Sequence, residues 1–286
     1  MELFFDMLRS IVYGVIEGIT EWLPISSTGH MILAEQVLKF SLSAEFMEMF
    51  RVVIQLGAIL AVVVLYFKKL WPFCVDNGRD SGLAKHIRWP VMRLWFKIIV
   101  ACLPAAVLGL LLDDWMDAHL YNSVVVAIML IVYGIAFILI ERRPRVPTTT
   151  KLSRITYKQA IIVGAWQVLA LIPGTSRSGA TIIGGLLCGM SRACASQFTF
   201  FLAIPVMAGA SGLKLVKFLA KGGVFTLGEV GTLLVGCIVA FVVSILAIRF
   251  LMDYVKKHTF TVFGWYRIAL GILVLGIWAL QSFVLA

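Results

Sequence analysis

Long apolar runs separated by short charged stretches make up most of the chain. Six runs are long enough to cross a membrane: roughly Phe46 to Phe67, Leu94 to Leu112, Ser123 to Ile140, Ala195 to Leu213, Glu229 to Arg249 and Val262 to Leu285. A helical span needs about 20 apolar residues, because the hydrocarbon core of a bilayer is about 30 Å thick. Backbone groups in lipid must be satisfied within the segment, so each run predicts a helix. A barrel of alternating strands would not carry unbroken apolar runs of this length. Two further regions behave differently. Leu3 to Leu23 is apolar but carries Asp6, Arg9, Glu17 and Glu21, breaks at Pro24, and resumes as Met31 to Phe40. Tyr157 to Ile172 is short for a span, breaks at Pro173 and Gly174, and resumes as Ala180 to Met190. Each predicts a helix, a polar turn and a second half-helix, a form tolerated at membrane depth only where it is buried in protein or lines a wet cavity.

Composition extends this picture to the whole chain. Of 286 residues, 61% are hydrophobic and 14% charged, against about 45–50% and 25% in soluble domains. The excess is spread evenly, which predicts one integral membrane domain over residues 1–286 and excludes a soluble enzyme with a single anchor. The net charge of +10 reads as basic cytoplasmic loops; no basic helix or aromatic-interleaved patch points to nucleic acid. The connections Lys68 to Arg93 and Glu141 to Lys158 are the most basic, so both are placed in the cytoplasm, as are Lys256 and Lys257. Asp113, Asp114 and Asp117 then mark an outer acidic loop. This orientation requires Tyr157 to Met190 to enter and leave on one side, and it leaves Lys214, Lys217 and Lys221 facing outward. Cys102, Cys188, Cys194 and Cys237 lie in apolar runs and Cys74 in a loop, with no metal-ligand spacing, so they read as packing residues. Glu2 and Asp6 ahead of Arg9 make a poor signal-peptide start.

The two polar turns are related. Pro24 to Gly29 reads P-I-S-S-T-G and Pro173 to Gly179 reads P-G-T-S-R-S-G; each is followed by a Phe-rich stretch, from Phe50 and from Phe201. Three full spans follow each turn region. An odd number places the second copy in the opposite sense, so an inverted-topology repeat is expected, with halves at about 1–145 and 155–286. Such repeats put their site near the midplane, where the broken helices meet.

The chemistry-bearing residues concentrate at these turns. Glu17 and Glu21 are four apart and share a helix face. Membrane carboxylates are costly and usually functional, which suggests a divalent-metal site or an acid/base pair; a protonated carboxyl bonding a neighbouring helix is the plainer reading. Ser26, Ser27 and Thr28 can be simple helix caps. His30 follows Ser27 by three residues, on the same face, so a hydroxyl nucleophile, a base and an anion-attracting helix start fall within one turn. In the second turn, Gly174 and Gly179 allow tight backbone approach, Thr175, Ser176 and Ser178 supply hydroxyls, and Arg177 supplies a planar cationic fork that fits phosphate. Arg177 in so apolar a setting needs an anionic partner, and Glu17 or Glu21 can hold it until phosphate arrives. No Walker, Rossmann or H-E-x-x-H motif is present. The inventory fits phosphoryl transfer on a lipid, catalysed mainly by positioning and charge neutralisation.

The stretch E-G-I-T-E-W-L-P-I-S-S-T-G-H, Glu17 to His30, together with P-G-T-S-R-S-G, Pro173 to Gly179, and V-V-I-Q-L-G-A-I-L-A-V-V, Val52 to Val63, closely resembles the bacterial undecaprenyl pyrophosphate phosphatases of the bacitracin-resistance family. The resemblance implies a multi-pass enzyme of the bacterial inner membrane. Such an enzyme removes one phosphate from the C55 isoprenoid pyrophosphate left by cell-wall polymerisation, at a site open to the periplasm and dependent on a divalent cation, Mg²⁺ or Ca²⁺. It implies functional roles for Glu17, Glu21, Ser26, Ser27, Thr28, His30, Ser176 and Arg177. One departure is Arg51, where the family pattern carries an acidic residue; a metal or acid role at that position does not transfer to this chain.

These readings combine into one expectation. The two loops meet, and the prenyl chain lies between helices. Arg177 and the amides near Ser27 and Ser176 bind the pyrophosphate, with Thr28, Thr175, Ser178 and Gly179 around it. Glu17 and Glu21 hold the cation. Ser27 attacks the terminal phosphorus, with His30 or Glu21 as base, or water attacks directly. The rival expectation is a lipid-phosphate or anion transporter, since inverted repeats of broken helices are also a transporter architecture. A homo-oligomer is compatible with either.

Overall fold

A computed structural model describes residues 2–76, 78, 82–143 and 146–284. The chain is all-α. Its helices are α1 (Glu2–Thr20), α2 (Ser27–Val37), α3 (Ala44–Val53), α4 (Gln55–Leu65), α5 (Phe67–Leu70), α6 (Trp89–His119), α7 (Ser123–Glu141), α8 (Tyr157–Val168), α9 (Arg177–Leu187), α10 (Arg192–Ala220), α11 (Leu227–Lys257) and α12 (Thr261–Val284). Among the described residues, six segments are long and apolar enough to span: Ala44–Leu65, Trp89–Leu112, Ser123–Glu141, Arg192–Ala220, Leu227–Lys257 and Thr261–Ser282. These are the six expected, with several boundaries moved. The 31 residues of α11 rise about 46 Å at 1.5 Å each, well beyond the hydrocarbon core. The first span is split at Ile54 into α3 and α4. The acidic loop expected at 113–117 is instead the last turns of α6, which ends at His119. Large apolar side chains such as Leu103, Leu110, Leu139, Ile238 and Val262 are exposed on the outer faces of the spans, while the polar residues of the two turns are buried or half-buried. That inside-out distribution suits a lipid solvent.

Both half-helices start earlier than their apolar runs. The second halves were expected from Met31 and Ala180, but α2 begins at Ser27 and α9 at Arg177. Ser, Thr and Gly are favoured at helix starts because they tolerate or satisfy the unpaired first-turn amides. The polar residues therefore form first turns rather than loops, and their amides point along the helix axes into the space ahead of them.

The hydrogen bonds show where each hairpin enters. Thr148 and Thr149 amides donate to the Gly189 carbonyl, the Ser191 amide donates to Thr149, Gln159 Nε2 donates to the Cys188 carbonyl, and Arg192 pairs with Glu141. The start of α8, the end of α9, the start of α10 and the end of α7 thus lie at one end of the molecule, so α8–α9 enters and leaves there. At the other end, the Ser41 amide donates to Asp6, Gly228 lies against Leu3, and Lys214 pairs with Glu48. The start of α1, the segment after α2, the start of α3, the late turns of α10 and the start of α11 meet there. Because α10 runs from one end to the other, the two hairpins insert from opposite ends. Packing partners exchange in the same way: α1 lies along α11 as α8 lies along α6, and α7 pairs with α12 on the line between the halves. At that central contact, a Cβ on Gly134 would sit 2.7 Å from the Gly264 carbonyl, and one on Gly264 would sit 2.7 Å from the Gly134 carbonyl. Small residues allow such close approach between membrane helices.

Candidate active site

Pro24 and Pro173 end the first half of each hairpin, since proline lacks an amide and biases the preceding residue away from helix. In the second hairpin a short 3₁₀ turn, Leu169–Leu171, intervenes. Each chain then turns through a serine with positive φ, Ser26 at 74° and Ser176 at 69°, the only non-glycine residues so placed among the described residues. Such a backbone costs about 1–3 kcal/mol and persists where the surroundings impose it, commonly at functional sites. The same strained residue at the same step of both hairpins is the strongest structural sign of the repeat. Nine positions before each serine stands a buried polar side chain, Glu17 in one half and Gln167 in the other.

The two turns touch. Arg177 donates from Nε and Nη2 to Glu21 Oε1 at 3.1 and 3.0 Å, and from Nη1 to the Thr199 carbonyl at 3.0 Å. Ser27 Oγ donates to Glu21 Oε2 at 3.3 Å. One carboxylate thus bridges the serine of the first turn and the arginine of the second, with the ion pair nearly buried, at 11% and 8% side-chain exposure. Glu21 lies just beyond α1, but its amide still donates to the Glu17 carbonyl, so the two carboxylates keep helical spacing. Glu17 is buried and its Oε1 has no hydrogen-bond partner among the described residues. Ser26 Oγ and Thr175 Oγ1 are likewise buried and unpartnered. Ser176 Oγ caps α9 by accepting from the Gly179 amide and lies 3.1 Å from Ser178 Oγ, which reaches the Leu23 carbonyl at 3.5 Å. Ser26, at the N-cap of α2, makes no side-chain cap bond, which leaves the first-turn amides of α2 without that partner. Thr28 is half-buried in that first turn.

His30 is placed differently from expectation. Its Nδ1 lies 2.7 Å from the Ser26 carbonyl and its Nε2 2.7 Å from the Tyr266 hydroxyl, with the two rings stacked. Both ring nitrogens are engaged away from Ser27, and the carboxylate of Glu21 is the basic group that contacts the Ser27 hydroxyl.

Behind both turns sits Arg267 of α12, fully buried at 0% exposure. It donates to the Pro24 carbonyl at 3.3 Å, to Gly174 at 2.9 Å, to Thr175 at 2.8 Å and to Leu130 at 3.5 Å, and it lies over the Tyr133 ring. No carboxylate pairs with it among the described residues. One guanidinium thus fastens the two turns to each other through their carbonyls.

Comparison with known protein families matches residues 10–273 to the bacitracin resistance protein BacA. The chain belongs to the BacA family. It is 60% identical over 278 residues to an undecaprenyl-diphosphatase of Enterococcus faecalis, covering 96% of this chain and 99% of the relative. It is 56% identical over 272 residues to the undecaprenyl-diphosphatase of Streptococcus thermophilus, covering 94% and 92%. It is 57% identical over 276 residues to that of Desulfitobacterium hafniense, covering 94% and 95%. Both turns and every residue of the site described above lie inside the BacA match.

Several members of this candidate site were not singled out from sequence. Arg267 lies in the last span, and an arginine inside an apolar run was the available signal. Tyr266, its neighbour, orients His30. Thr199 lies in an apolar span and contributes only its carbonyl to Arg177; Thr181 bonds the Arg177 carbonyl at 2.8 Å and accepts from Thr199 Oγ1 at 2.9 Å. Gln167 carries no charge and stood in an apolar run. Arg51 pairs with Glu35. Among the described residues no group of three or more His, Cys, Asp or Glu side chains is gathered as a metal cage.

Proposed function

We propose that this chain hydrolyses undecaprenyl pyrophosphate to undecaprenyl phosphate and inorganic phosphate in the bacterial inner membrane, recycling the lipid carrier and conferring bacitracin resistance. The observation that carries the reading is the Ser27–Glu21–Arg177 contact across the two turns, in a chain whose relatives are undecaprenyl-diphosphatases. Ser27 is the nucleophile. Its oxygen attacks the terminal phosphorus, the phosphoanhydride bond breaks, and its bridging oxygen leaves on the lipid monophosphate. Glu21, in hydrogen-bond reach of Ser27, takes the hydroxyl proton. Water then cleaves the phosphoserine and releases phosphate.

Arg177 exchanges Glu21 for the pyrophosphate as substrate enters, a swap that neutralises the phosphate charge and frees Glu21 to act as base. The first-turn amides of α2 and α9 complete the cradle, with the hydroxyls of Ser26, Thr28, Thr175, Ser176 and Ser178 around it. Gly179 keeps the floor narrow, since a Cβ there would come 3.1 Å from Arg267 Nη1. His30, held between Ser26 and Tyr266, fixes the first turn rather than moving the Ser27 proton. Glu17, buried with an unpartnered oxygen, and Glu21 would hold a divalent cation; two carboxylates completed by phosphate oxygens and water suit Mg²⁺ better than a full protein cage. Bound there, the cation supplies charge neutralisation on the phosphate oxygens. The periplasmic opening rests on the loop-charge orientation and the family resemblance.

The test is phosphate transfer to Ser27. Purified protein mixed with undecaprenyl pyrophosphate and quenched within a turnover is expected to yield a phosphorylated peptide containing Ser27, absent in Ser27→Ala, which also loses turnover. Rapid turnover by Ser27→Ala would remove the serine from the chemistry and leave direct attack by water.

A further inference from the structure

Beside Arg177 lies a cavity of about 440 Å³ between α6, the 3₁₀ turn after α8, and α10, within the size range of small-molecule sites. Arg177 and Gln167 stand in its wall. Elsewhere the wall is apolar or carries no side chain, at Gly109, Leu110, Pro205, Gly209 and Ala210. Its inner end is therefore polar and continuous with the site already described. Its outer end reaches Leu110, 70% exposed on the face of a membrane span, and so opens toward lipid.

Two further observations point to an occupant. Gln167 is buried, yet neither its Oε1 nor its Nε2 has a hydrogen-bond partner among the described residues. A buried amide left unpaired is costly, and this one lines the cavity. In addition, the space is kept open by missing side chains. A Cβ on Gly209 would meet nothing within 4 Å, and one on Gly109 would make only an ordinary contact with Leu171. The opposite half of the repeat is closed: α4 lies so near α11 that a Cβ on Gly57 would sit 2.0 Å from the Cys237 carbonyl. The pseudo-symmetry of the helices is broken at the one flank where an apolar channel meets the phosphate-binding arginine.

We propose that this cavity is the seat of the first isoprene units of the lipid pyrophosphate, with the Gln167 amide bonding the phosphate nearest the chain. The proposal rests on the lipid pyrophosphatase reading given above. The chain passes between α6 and α10 into the bilayer, so the substrate enters sideways with its pyrophosphate meeting Arg177 last. This placement gives the site a reason to prefer a prenyl over a soluble pyrophosphate.

Cavity-filling variants test it. Gly209→Leu and Gly109→Leu, each at a helical position with room for a side chain, are assayed on undecaprenyl pyrophosphate and on dimethylallyl pyrophosphate, whose five-carbon chain ends near the polar wall. Displacing even two methylenes from an apolar seat weakens binding by about tenfold or more, so KM for the long lipid is expected to rise at least that far while kcat/KM for the short one holds. Unchanged KM for the long lipid in both variants overturns the proposal and leaves the cavity to phospholipid acyl chains. A second measurement needs no variant: wild-type protein is photolysed with a prenyl pyrophosphate carrying a benzophenone on its second isoprene unit. Labels on α6 or α10 around residues 105–110 and 205–213 support the seat; labels confined to other helices overturn it, whatever the variants do. Failure of the wild type to release phosphate from either substrate would refute the phosphatase reading instead, and the photolabel would still report where the chain lies.

Discussion

Arg267 illustrates how one residue can determine the geometry of a site it does not enter. It is buried, its hydrogen bonds among the described residues all go to carbonyl oxygens, and it joins Pro24 of one turn to Gly174 and Thr175 of the other. Each carbonyl orphaned by its loss costs about 1–3 kcal/mol. Arg267→Met is therefore expected to lower stability by at least ~3 kcal/mol, with Arg267→Lys, which keeps charge but loses the planar fork, falling between it and the wild type. Denaturation midpoints in detergent measure this; a wild-type midpoint for Arg267→Met would show that the turns do not depend on the clasp. At this scale sequence was a partial guide. The polar cluster and its arginine were legible because charge and hydroxyls stand out in apolar sequence, and the pairing of Arg177 with a glutamate followed from the cost of an isolated buried charge. The partner of His30 was not legible. A spacing of three places Ser27 and His30 near one another, but Ser27 is the first residue of α2 and turns back to Glu21, while the ring of His30 turns toward Tyr266, more than two hundred residues away.

At the scale of elements, apolar runs revealed spans well and their ends poorly. Serine and threonine extended α2 and α9 backward by a turn, and α6 absorbed the aspartates taken for a loop, because neither polarity nor charge stops a helix that leaves the membrane. Close packing between elements is likewise invisible in hydropathy. Gly164 of α8 lies so near α6 that a Cβ would come 2.3 Å from the Ala101 carbonyl. Backbone cannot yield as a side chain can, so Gly164→Val must force the helices apart. Overpacking of this kind costs about 1–3 kcal/mol. The same displacement would carry Gln167, three residues on, away from Arg177. Reduced thermal stability together with reduced turnover is expected; a fully stable, fully active Gly164→Val would mean that α8 and α6 are not in contact as described.

For the whole molecule, the opposed hairpins give an orientation that can be tested. The awkward outward lysines have a structural place: Lys214 pairs with Glu48, and Lys217 and Lys221 line the same cleft as Glu45 and Glu229. The basic connections Lys68 to Arg93 and Glu141 to Lys158 are expected to face the cytoplasm. On a cysteine-free background, Tyr121→Cys is expected to react with an impermeant thiol reagent applied to intact cells, and Ser153→Cys only after permeabilisation. The reverse pattern would invert the protein in the membrane and place the α8–α9 hairpin on the outer side.

The same architecture of paired broken helices serves transporters, whereas in the function proposed for this chain the two turns form one hydrolytic site. Phosphate release from undecaprenyl pyrophosphate by purified protein in detergent, with no membrane and no gradient, tests it most directly when the wild type is compared with one variant from each turn, Glu21→Gln and Arg177→Ala. Release by the wild type and its loss, by about a hundredfold or more, in both folded variants is the predicted result. Wild-type rates in either variant, or no release by the wild type while liposomes carrying it move lipid phosphate across the bilayer, would mean that the two turns do not form one hydrolytic site.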